Sequence, residues 1–410
     1  MRVIDLDGLA AVLGGLTRVP RVVAPGSFAT PNTLLHALDA ELDEWRLFVV
    51  NALPGIPYRK GITYETCFVG PGMRGSASLD YYPCRLSLAP RLFWTTLPPD
   101  IVVLHTSRPH GGYVSMGIEV QVMVGALEAA RARGALVLAQ INPHMPFTHG
   151  DGVVSVDDIA FGVEVDEPLP AAPDAPIDDV ALEAGRLVAS RISDGSTLQM
   201  GIGALPDGVM AALEPRRRLG IWTELFTEPM FRLWKSGSLD ADRQITASFM
   251  YGSQELYSWV DDNPSVVMRR CEVTNDPGRI AAQSRMVSVN TALQVDLYGQ
   301  ANASRIGNRI YSGTGGQTDF IIGAMHAPGG QAFLALKSWH PKARRSTIVG
   351  RLDQPATSMQ MTSVVTENGI ADLMGNHQVE QARQLVEHAA HPDVREALRD
   401  EARTLGLGWD

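Results

Sequence analysis

The sequence predicts an α/β fold divided into two domains. Short apolar runs rich in β-branched residues alternate with longer segments of helical spacing, as strands alternate with crossover helices in largely parallel sheets. The chain has 410 residues, more than one hydrophobic core usually serves. Four prolines fall within residues 168–176, which denies that stretch a helix or central strand and marks a boundary.

The elements of the predicted domains follow in chain order. In the first domain, residues 1–175, strands are expected at 21–23, 47–50, 101–104 and 135–138. The segment 117–133 predicts a crossover helix, because apolar and small residues recur there at helical spacing. In the second domain, residues 176–410, a helix is expected at 180–192 and a strand near Thr197.

One spacing occurs twice and predicts the same local structure in both domains. The pattern Gly-x4-Pro-x6-Leu runs from Gly26 to Leu38 and again from Gly201 to Leu213. Duplication of a unit and chance similarity both remain open as its origin, and both predict strand, turn and helix.

Composition excludes some classes of function. The net charge of −10 and the pI of about 5.5 provide no basic surface for nucleic acid. Asp5 and Asp7 stand where a secretion signal would be apolar, and no run of about 18 apolar residues follows, so a soluble, cytoplasmic protein without a membrane partner is expected. The spacings of cysteine and histidine predict no metal site.

Three segments carry residues suited to chemistry. Residues 198–209 predict a strand, a glycine turn and a helix opening at Pro206, which directs backbone N–H groups at an anion; a third glycine for a dinucleotide site is missing. Residues 219–224 predict a strand that ends at Glu224, where sites in open sheets lie; the alternative is a charge in the first turn of the next helix.

The third segment, residues 310–320, places Gly313, Gly315 and Gly316 directly after a predicted strand. Glycines there permit a ligand to approach the backbone closely. Together with the turn at 201–203, this loop offers a second set of N–H donors for a developing oxyanion.

These three segments, in this order, resemble the acetyl-CoA hydrolase/transferase family of glutamate-dependent CoA-transferases. Further matches lie at 141–146, 274–277, 295–300 and 364–373. The resemblance implies two similar open-sheet α/β domains of the CoA-transferase type and a homodimer or larger assembly. The chain departs from the family pattern at two places. Glu228-Pro229 stands where a Ser/Thr-Asp-Gly turn is common, and His110 stands where an acidic residue is usual.

The resemblance also implies roles for individual residues. Glu224 takes the position of the nucleophile, the N–H groups of Ile202 and Gly316 take the oxyanion-binding positions, and Asn275 and Glu367 line the active site. Lys337 stands where the family often supplies a cation to CoA, with Lys342 as its rival and a plain surface lysine as the alternative. The implied CoA-binding set is Gly201, Gly203, Gly313, Gly315, Gly316 and Lys337.

The implied reaction is a ping-pong transfer of CoA between an acyl-CoA and a small carboxylate. Glu224 would form an acyl anhydride and then a glutamyl-CoA thioester, with no cofactor beyond CoA as a substrate and no metal. Two alternatives stay open: an acyl-CoA hydrolase that uses the same glutamate, and an inactive acyl-CoA-binding protein, suggested by Glu228-Pro229 beside the nucleophile.

Overall fold

The structure, a computed structural model, describes residues 1–14, 18–172, 176–354, 356 and 360–409. It confirms the α/β class. Each half of the chain contributes one main sheet, and the proline-rich stretch connects them, because the first sheet ends at Glu164 and the next helix begins at Asp179. Residues 173–175 of that stretch lie outside the described residues, and the domain boundary there stays a prediction.

The first half of the chain contains an all-parallel sheet of eight strands. Its order is β1-β11-β8-β6-β2-β3-β4-β5. The strands are β1 (Arg2–Val3), β2 (Arg21–Val23), β3 (Trp45–Phe48), β4 (Ile62–Thr66), β5 (Leu79–Tyr81), β6 (Ile101–Thr106), β7 (Tyr113–Ser115), β8 (Leu136–Ile141), β9 (His149–Gly150), β10 (Val153–Ser155) and β11 (Phe161–Glu164). The α-helices are α1 (Leu9–Leu13), α2 (Asn32–Glu41), α3 (Ala89–Trp94) and α4 (Met123–Arg133).

The second half carries a sheet of six strands in the order β13-β12-β18-β23-β27-β28, parallel except for the last pair. The strands are β12 (Thr197–Met200), β13 (Gly220–Ile221), β14 (Leu225–Thr227), β15 (Ile245–Ala247), β16 (Phe249–Tyr251), β17 (Val266–Met268), β18 (Met286–Thr291), β19 (Gln294–Asp296), β20 (Ala301–Asn302), β21 (Arg305–Ile306), β22 (Arg309–Ile310), β23 (Gln331–Ala335), β24 (Trp339–His340), β25 (Arg345–Ser346), β26 (Ile348–Val349), β27 (Ser363–Thr366) and β28 (Gly369–Asp372). The α-helices are α5 (Asp179–Ser190), α6 (Ala204–Ala212), α7 (Glu228–Lys235), α8 (Gln254–Val260), α9 (Cys271–Thr274), α10 (Pro277–Ala281), α11 (Gln317–His326), α12 (Gln378–Gln384) and α13 (Arg395–Thr404).

The two halves pack against each other through backbone pairing as well as side chains. Strand β9 of the first half pairs with β17 of the second, and Glu119 forms an antiparallel bridge with Phe249. A continuous apolar core includes Phe48 and Phe93 from the first half and Phe226 from the second. The halves therefore hold fixed positions beside their common cleft.

The structure confirms most predicted elements and corrects the starts of two helices, α4 and α6. Strands occur at each predicted place, with small shifts of their ends, and α5 matches the helix predicted at 180–192. The crossover helix predicted at 117–133 begins only at Met123. Gly117 has a φ of +58°, and residues 118–121 pair with the segment around Ser248 instead of coiling.

The repeated glycine-proline spacing yields strand, turn and helix in both halves, as predicted. Strand β2 leads to α2, and β12 leads to α6. Helix α6 begins at Ala204 rather than at Pro206, which is its third residue and so lacks an N–H at a position where no intrahelical partner exists. Within the described residues, no helix is both long and apolar enough to cross a membrane.

Candidate active site

A cavity of about 1160 Å³ lies between the two halves, at the carboxyl ends of strands from both main sheets. Phe28, Asn51 and Phe68 line it from the loops that follow β2, β3 and β4. Gly201 and Asn290 line it from the ends of β12 and β18. Open α/β sheets place their ligands at this edge, so the topology itself directs both halves at one ligand.

Glu224 lies in the wall of this cavity, between the short strands β13 and β14. Its carbonyl oxygen accepts hydrogen bonds from the N–H groups of Ser248 (2.9 Å) and Phe249 (3.0 Å). The following helix, α7, begins at Glu228, so the carboxylate in its first turn is Glu228. The alternative that Glu224 serves as a first-turn charge is therefore wrong.

Gly316 lies directly against the Glu224 carboxylate. A methyl group built on Gly316 would be 1.9 Å from Oε2 of Glu224 and 2.2 Å from Nδ2 of Asn275, far inside contact distance. The φ of Gly316 is −96°, which any residue can adopt. Contact with the carboxylate, and not backbone conformation, thus requires glycine here.

Asn275 fixes one oxygen of the Glu224 carboxylate. Its Nδ2 donates a hydrogen bond of 2.7 Å to Oε2, and its own oxygen accepts one of 2.7 Å from the Thr274 hydroxyl. Asn275 is completely buried at the end of α9. The amide is therefore held in one orientation, with its NH₂ group facing Glu224.

The environment of Glu224 favours its protonated form. Burial is the main cause that raises the pKa of this carboxyl group from 4.5 to about 7; the hydrogen bond from Asn275 opposes the rise, and the negative charge of Asp319 adds to it. A carboxylate that binds protons more tightly is a stronger nucleophile once it is ionised. The cavity wall thus carries a carboxylate that titrates near neutral pH.

The two glycine turns line the same cavity as Glu224, and each carries an available N–H group. Gly201, Ile202 and Gly203 line the cavity, and Ile202 is 49% exposed there. Gly203 has a φ of +123°, a conformation that favours glycine. Among the described residues, no acceptor takes a hydrogen bond from the N–H of Ile202 or of Gly316.

The loop at 312–316 is held from behind by the first half of the chain. The Val69 N–H donates to the Ser312 carbonyl (2.8 Å), Phe68 bridges to Gly313, and the Leu86 N–H donates to the Gly315 carbonyl (3.0 Å). A methyl group on Gly313 would lie 2.5 Å from the Cys67 carbonyl oxygen. This loop therefore owes its shape to contacts between the halves.

The chain is similar in sequence to proteins already known. A sequence model of the acetyl-CoA hydrolase/transferase C-terminal domain matches residues 252–402. The 4-hydroxybutyrate coenzyme A transferase of Clostridium kluyveri is 36% identical over 353 residues, which cover 82% of this chain and 81% of that protein. The chain belongs to the acetyl-CoA hydrolase/transferase family.

The chain also shares its whole fold with solved structures of similar proteins. The 4-hydroxybutyrate CoA-transferase of Porphyromonas gingivalis has a TM-score of 0.83 and 32% identity, with 98% of each chain covered. RipA of Yersinia pestis has a TM-score of 0.91 and 27% identity, and the match covers 99% of this chain and 98% of that one. The predicted family and CoA-transferase fold are confirmed.

The structure brings some of the family-derived site residues together and leaves two apart. Glu224, Gly316 and the two glycine turns line the cavity, and Asn275, which is not part of the lining, contacts Glu224 through its hydrogen bond. Glu367 instead accepts hydrogen bonds from the N–H (2.9 Å) and the hydroxyl of Ser338, and Lys337 forms an ion pair with Asp178. Neither Glu367 nor Lys337 is among the described residues that line the cavity, and their roles stay predictions.

The two departures from the family pattern differ in their distance from the site. Glu228 lines the cavity and accepts a hydrogen bond of 2.8 Å from the Ser253 N–H, while Pro229 sits at the start of α7, where proline is tolerated. His110 is an exposed turn residue whose backbone pairs with Tyr113, outside the residues that line the cavity.

Sequence reasoning missed several residues at the cavity. Phe28 and Tyr251, from opposite halves, stack with ring centroids 4.6 Å apart. Asp207 lines the cavity near Arg232; burial raises the pKa of the Asp207 carboxyl, and Arg232 opposes the rise. No local motif distinguishes Phe28 and Tyr251, because the pairing of the halves brings these two residues together.

The described residues contain no group of three or more His, Cys, Asp and Glu side chains arranged to hold a metal ion. The three cysteines are unpaired, with Cys67 and Cys271 buried. The expectation of a reaction without metal or further cofactor stays a prediction.

Proposed function

We propose that this chain is a CoA-transferase that moves CoA from an acyl-CoA to a small carboxylate through covalent intermediates on Glu224. The observation that carries the proposal is the placement of the Glu224 carboxylate, fixed by Asn275 and against Gly316, in a cavity shared by both halves. Family membership supports the reaction class, since the relatives described above are named CoA-transferases.

The first covalent step is attack by a carboxylate oxygen of Glu224 on the thioester carbonyl carbon. The C–S bond breaks, the CoA thiolate leaves with the electron pair, and an acyl-glutamyl anhydride forms. The step is uphill, because a carboxylate is a much weaker base than a thiolate. The pKa of an ordinary carboxyl group is near 4.3, and that of a thiol is near 8.5. A pKa of about 7 for Glu224 reduces that difference.

The tetrahedral intermediate carries its negative charge on the former carbonyl oxygen of the thioester. The N–H groups of Ile202 and Gly316 have no acceptor among the described residues, belong to turns that line the same cavity as Glu224, and would donate to that oxygen. Each preorganised donor of this kind contributes roughly 3 kcal/mol to the transition state. Because Gly316 lies against the Glu224 carboxylate, its N–H would be close to the oxygen on which the charge develops.

The second half of the reaction reverses the first with a new carboxylate. The CoA thiolate attacks Cδ of Glu224, the donor carboxylate leaves, and a glutamyl-CoA thioester remains. The acceptor carboxylate attacks that thioester to give a second anhydride and free thiolate, which then attacks the acceptor acyl carbon and releases Glu224. Every step exchanges one leaving group for one nucleophile, without oxidation or reduction.

The size and lining of the cavity agree with this substrate pair. Its volume exceeds the roughly 300 to 1,000 Å³ of ordinary small-molecule sites, as an extended thioester together with a second acid would require. Arg74 and Arg232 are cations in its lining. Remote contacts to the nucleotide and pantetheine parts would align the thioester, so short acyl thioesters should react poorly.

A screen of acyl-CoA donors against carboxylate acceptors and against water tests the proposal. The wild-type protein should form a new acyl-CoA with at least one acceptor, and Glu224→Ala should not. Release of free CoA in water alone, without transfer to any acceptor, would assign the protein as a hydrolase. Transfer that persists in Glu224→Ala would contradict the proposed nucleophile.

A further inference from the structure

Asp319 is a buried carboxylate next to the proposed site that the reaction as described above does not use. It lies in the first turn of α11, three residues after Gly316, and is 1% exposed. Its Oδ1 is 3.5 Å from a guanidinium nitrogen of Arg85, and its Oδ2 has no hydrogen-bond partner among the described residues. An unpartnered buried carboxylate oxygen is costly, which calls for a physical account.

Arg85 comes from the first half of the chain and belongs to the segment that holds the glycine loop. The next residue, Leu86, donates its N–H to the Gly315 carbonyl at 3.0 Å. The Arg85 side chain is 40% exposed, so water screens its charge and it neutralises Asp319 only in part. The segment Arg85-Leu86 therefore contacts both the glycine loop, through Leu86, and the Asp319 carboxylate, through Arg85.

We propose that Asp319 is a positioning residue whose fixed negative charge, held by Arg85 behind the glycine loop, makes Glu224 a stronger nucleophile towards the thioester. The inference rests on the proposed function and assigns Asp319 no contact with the substrate. A negative neighbour raises the proton affinity of a carboxylate and brings its basicity nearer to that of the leaving thiolate.

Burial favours the neutral forms of three other described groups whose charges couple to that of Glu224. Burial raises the pKa of the Glu119 carboxyl well above its usual range, and Glu119 pairs with Gln121. Burial also raises the pKa of the Cys67 thiol to about 12 and that of the Cys271 thiol well above its usual range. Asn275 contributes a hydrogen bond but no charge.

Asp319 differs from these groups because it has partners for its charged form. Burial raises the pKa of its carboxyl group, but Ser87 and Arg85 oppose that rise. Its charge is among the influences that raise the pKa of Glu224. Asp319 thus supplies the charge near Glu224, and the first half of the chain stabilises it.

The test is the pH profile of kcat/KM for Asp319→Asn, an isosteric change that keeps an oxygen for Arg85 and Ser87. The acid limb should move to lower pH by roughly 0.5 to 1 unit, because the like charge is gone. The plateau at high pH should fall about two- to five-fold, because Glu224 becomes a weaker base. A merely structural role would lower the plateau without moving the limb.

Asp100→Asn is the matched control. Asp100 also pairs with an arginine, Arg18, but it precedes β6 at the opposite end of the first sheet. The acid limb of the kcat/KM profile of Asp100→Asn should coincide with that of the wild type. A folded Asp319→Asn protein whose limb also coincides with the wild type would overturn the inference.

A second variant and a measurement on the wild type keep the inference testable if Asp319→Asn does not fold. Asp319→Ser should give the same shift of the limb. In the wild type and in Asp319→Ser, the ¹³C signal of the Glu224 carboxyl, assigned by its loss in Glu224→Gln, should titrate with a lower midpoint in the variant; equal midpoints would overturn the inference. Retained transfer in Glu224→Gln would instead refute the proposed function.

Discussion

Nδ2 of Asn275 donates a hydrogen bond of 2.7 Å to Oε2 of Glu224. The main chain of Glu224 is held as well, through hydrogen bonds from Ser248 and Phe249 to its carbonyl oxygen. Glu224 is therefore held both at its main chain and at one carboxylate oxygen before any substrate binds. Preorganisation of this kind spares the reaction the cost of orienting the attacking group.

Replacement of Asn275 by leucine removes this donor while it keeps a similar volume. The hydrogen bond lowers the pKa of Glu224, so its loss should raise that pKa and move the acid limb of kcat/KM to higher pH. At pH 7 we expect a loss of roughly 10²-fold in kcat/KM, because the carboxylate also loses its orientation. A pH profile of the folded variant that moves the other way would contradict this account.

Gly316→Ala should abolish transfer and leave the fold intact. The added methyl group would occupy the space of the Glu224 carboxylate and displace it or Asn275, at a φ that alanine tolerates. We expect kcat/KM to fall by at least about 10²-fold. Circular dichroism and thermal unfolding check the fold.

Gly14→Ala is the control for that substitution. Gly14 also has ordinary helical angles, and a methyl group there meets the Ala10 carbonyl oxygen at 3.6 Å, an ordinary contact. Gly14 is not among the residues that line the cavity, and the variant should retain wild-type turnover. Equal turnover in both variants would mean that Gly316 is not packed against the nucleophile.

The raised pKa of Glu224 makes the stability of the fold depend on pH. Because the folded-state pKa of about 7 exceeds the unfolded value near 4.5, the stabilising contribution is fully present below pH 4.5 and is lost as the pH rises through 7. The Glu224→Gln variant has no ionisable group at this position, so its stability does not fall for this reason as the pH rises. At pH 8 the variant should exceed the wild type in free energy of unfolding by up to about 3 kcal/mol, since each pKa unit corresponds to about 1.4 kcal/mol.

Urea unfolding at pH 5 and pH 8 measures that difference. The variant's advantage should be small at pH 5 and large at pH 8. An advantage that does not grow with pH would show that Glu224 is not titrating near neutrality.

How much of this arrangement the sequence predicts depends on whether the cause is local. The strand, turn and helix around Gly201 follow from local spacing, and so does the approach of β13 to Glu224. The need for glycine at 316 does not, because its φ is ordinary and the contact comes from Glu224, 92 positions away in the chain. Sequence similarity to the family identified Asn275 and Gly316 where local physics could not.

The misplaced start of α4 has the same kind of cause. The spacing at 117–122 is helical, but residues 118–121 gain backbone hydrogen bonds from the segment around Ser248, in the other half. Tertiary pairing thus overrides local propensity. Asp319 was missed for a related reason, since its partner Arg85 also comes from the other half.

Glu65 should contribute to the stability of the first half and not to catalysis. Its buried carboxylate in β4 accepts hydrogen bonds from Arg46 in the adjacent strand β3 (2.9 Å) and from Arg21 in β2, one strand further away (2.6 and 3.1 Å). Glu65→Ala leaves two guanidinium groups without their buried partner and should cost about 3 to 5 kcal/mol of unfolding free energy. Glu183→Gln, which breaks an exposed pair with Arg186, should cost less than about 0.5 kcal/mol.

Denaturant unfolding of the two variants at one pH provides the comparison. Folded Glu65→Ala protein should retain wild-type kcat/KM. Equal stability of the two variants would contradict the assigned importance of the buried ion pairs.

Covalent trapping on Glu224 tests the central claim most directly. The protein is incubated with acetyl-CoA, treated with borohydride or with hydroxylamine, digested and examined by mass spectrometry, beside Glu224→Gln. The account predicts that Glu224 is reduced to the alcohol by borohydride or converted to the hydroxamate by hydroxylamine, and that the variant's peptide is unmodified. An unmodified Glu224 in protein that is turning over acyl-CoA would contradict the account.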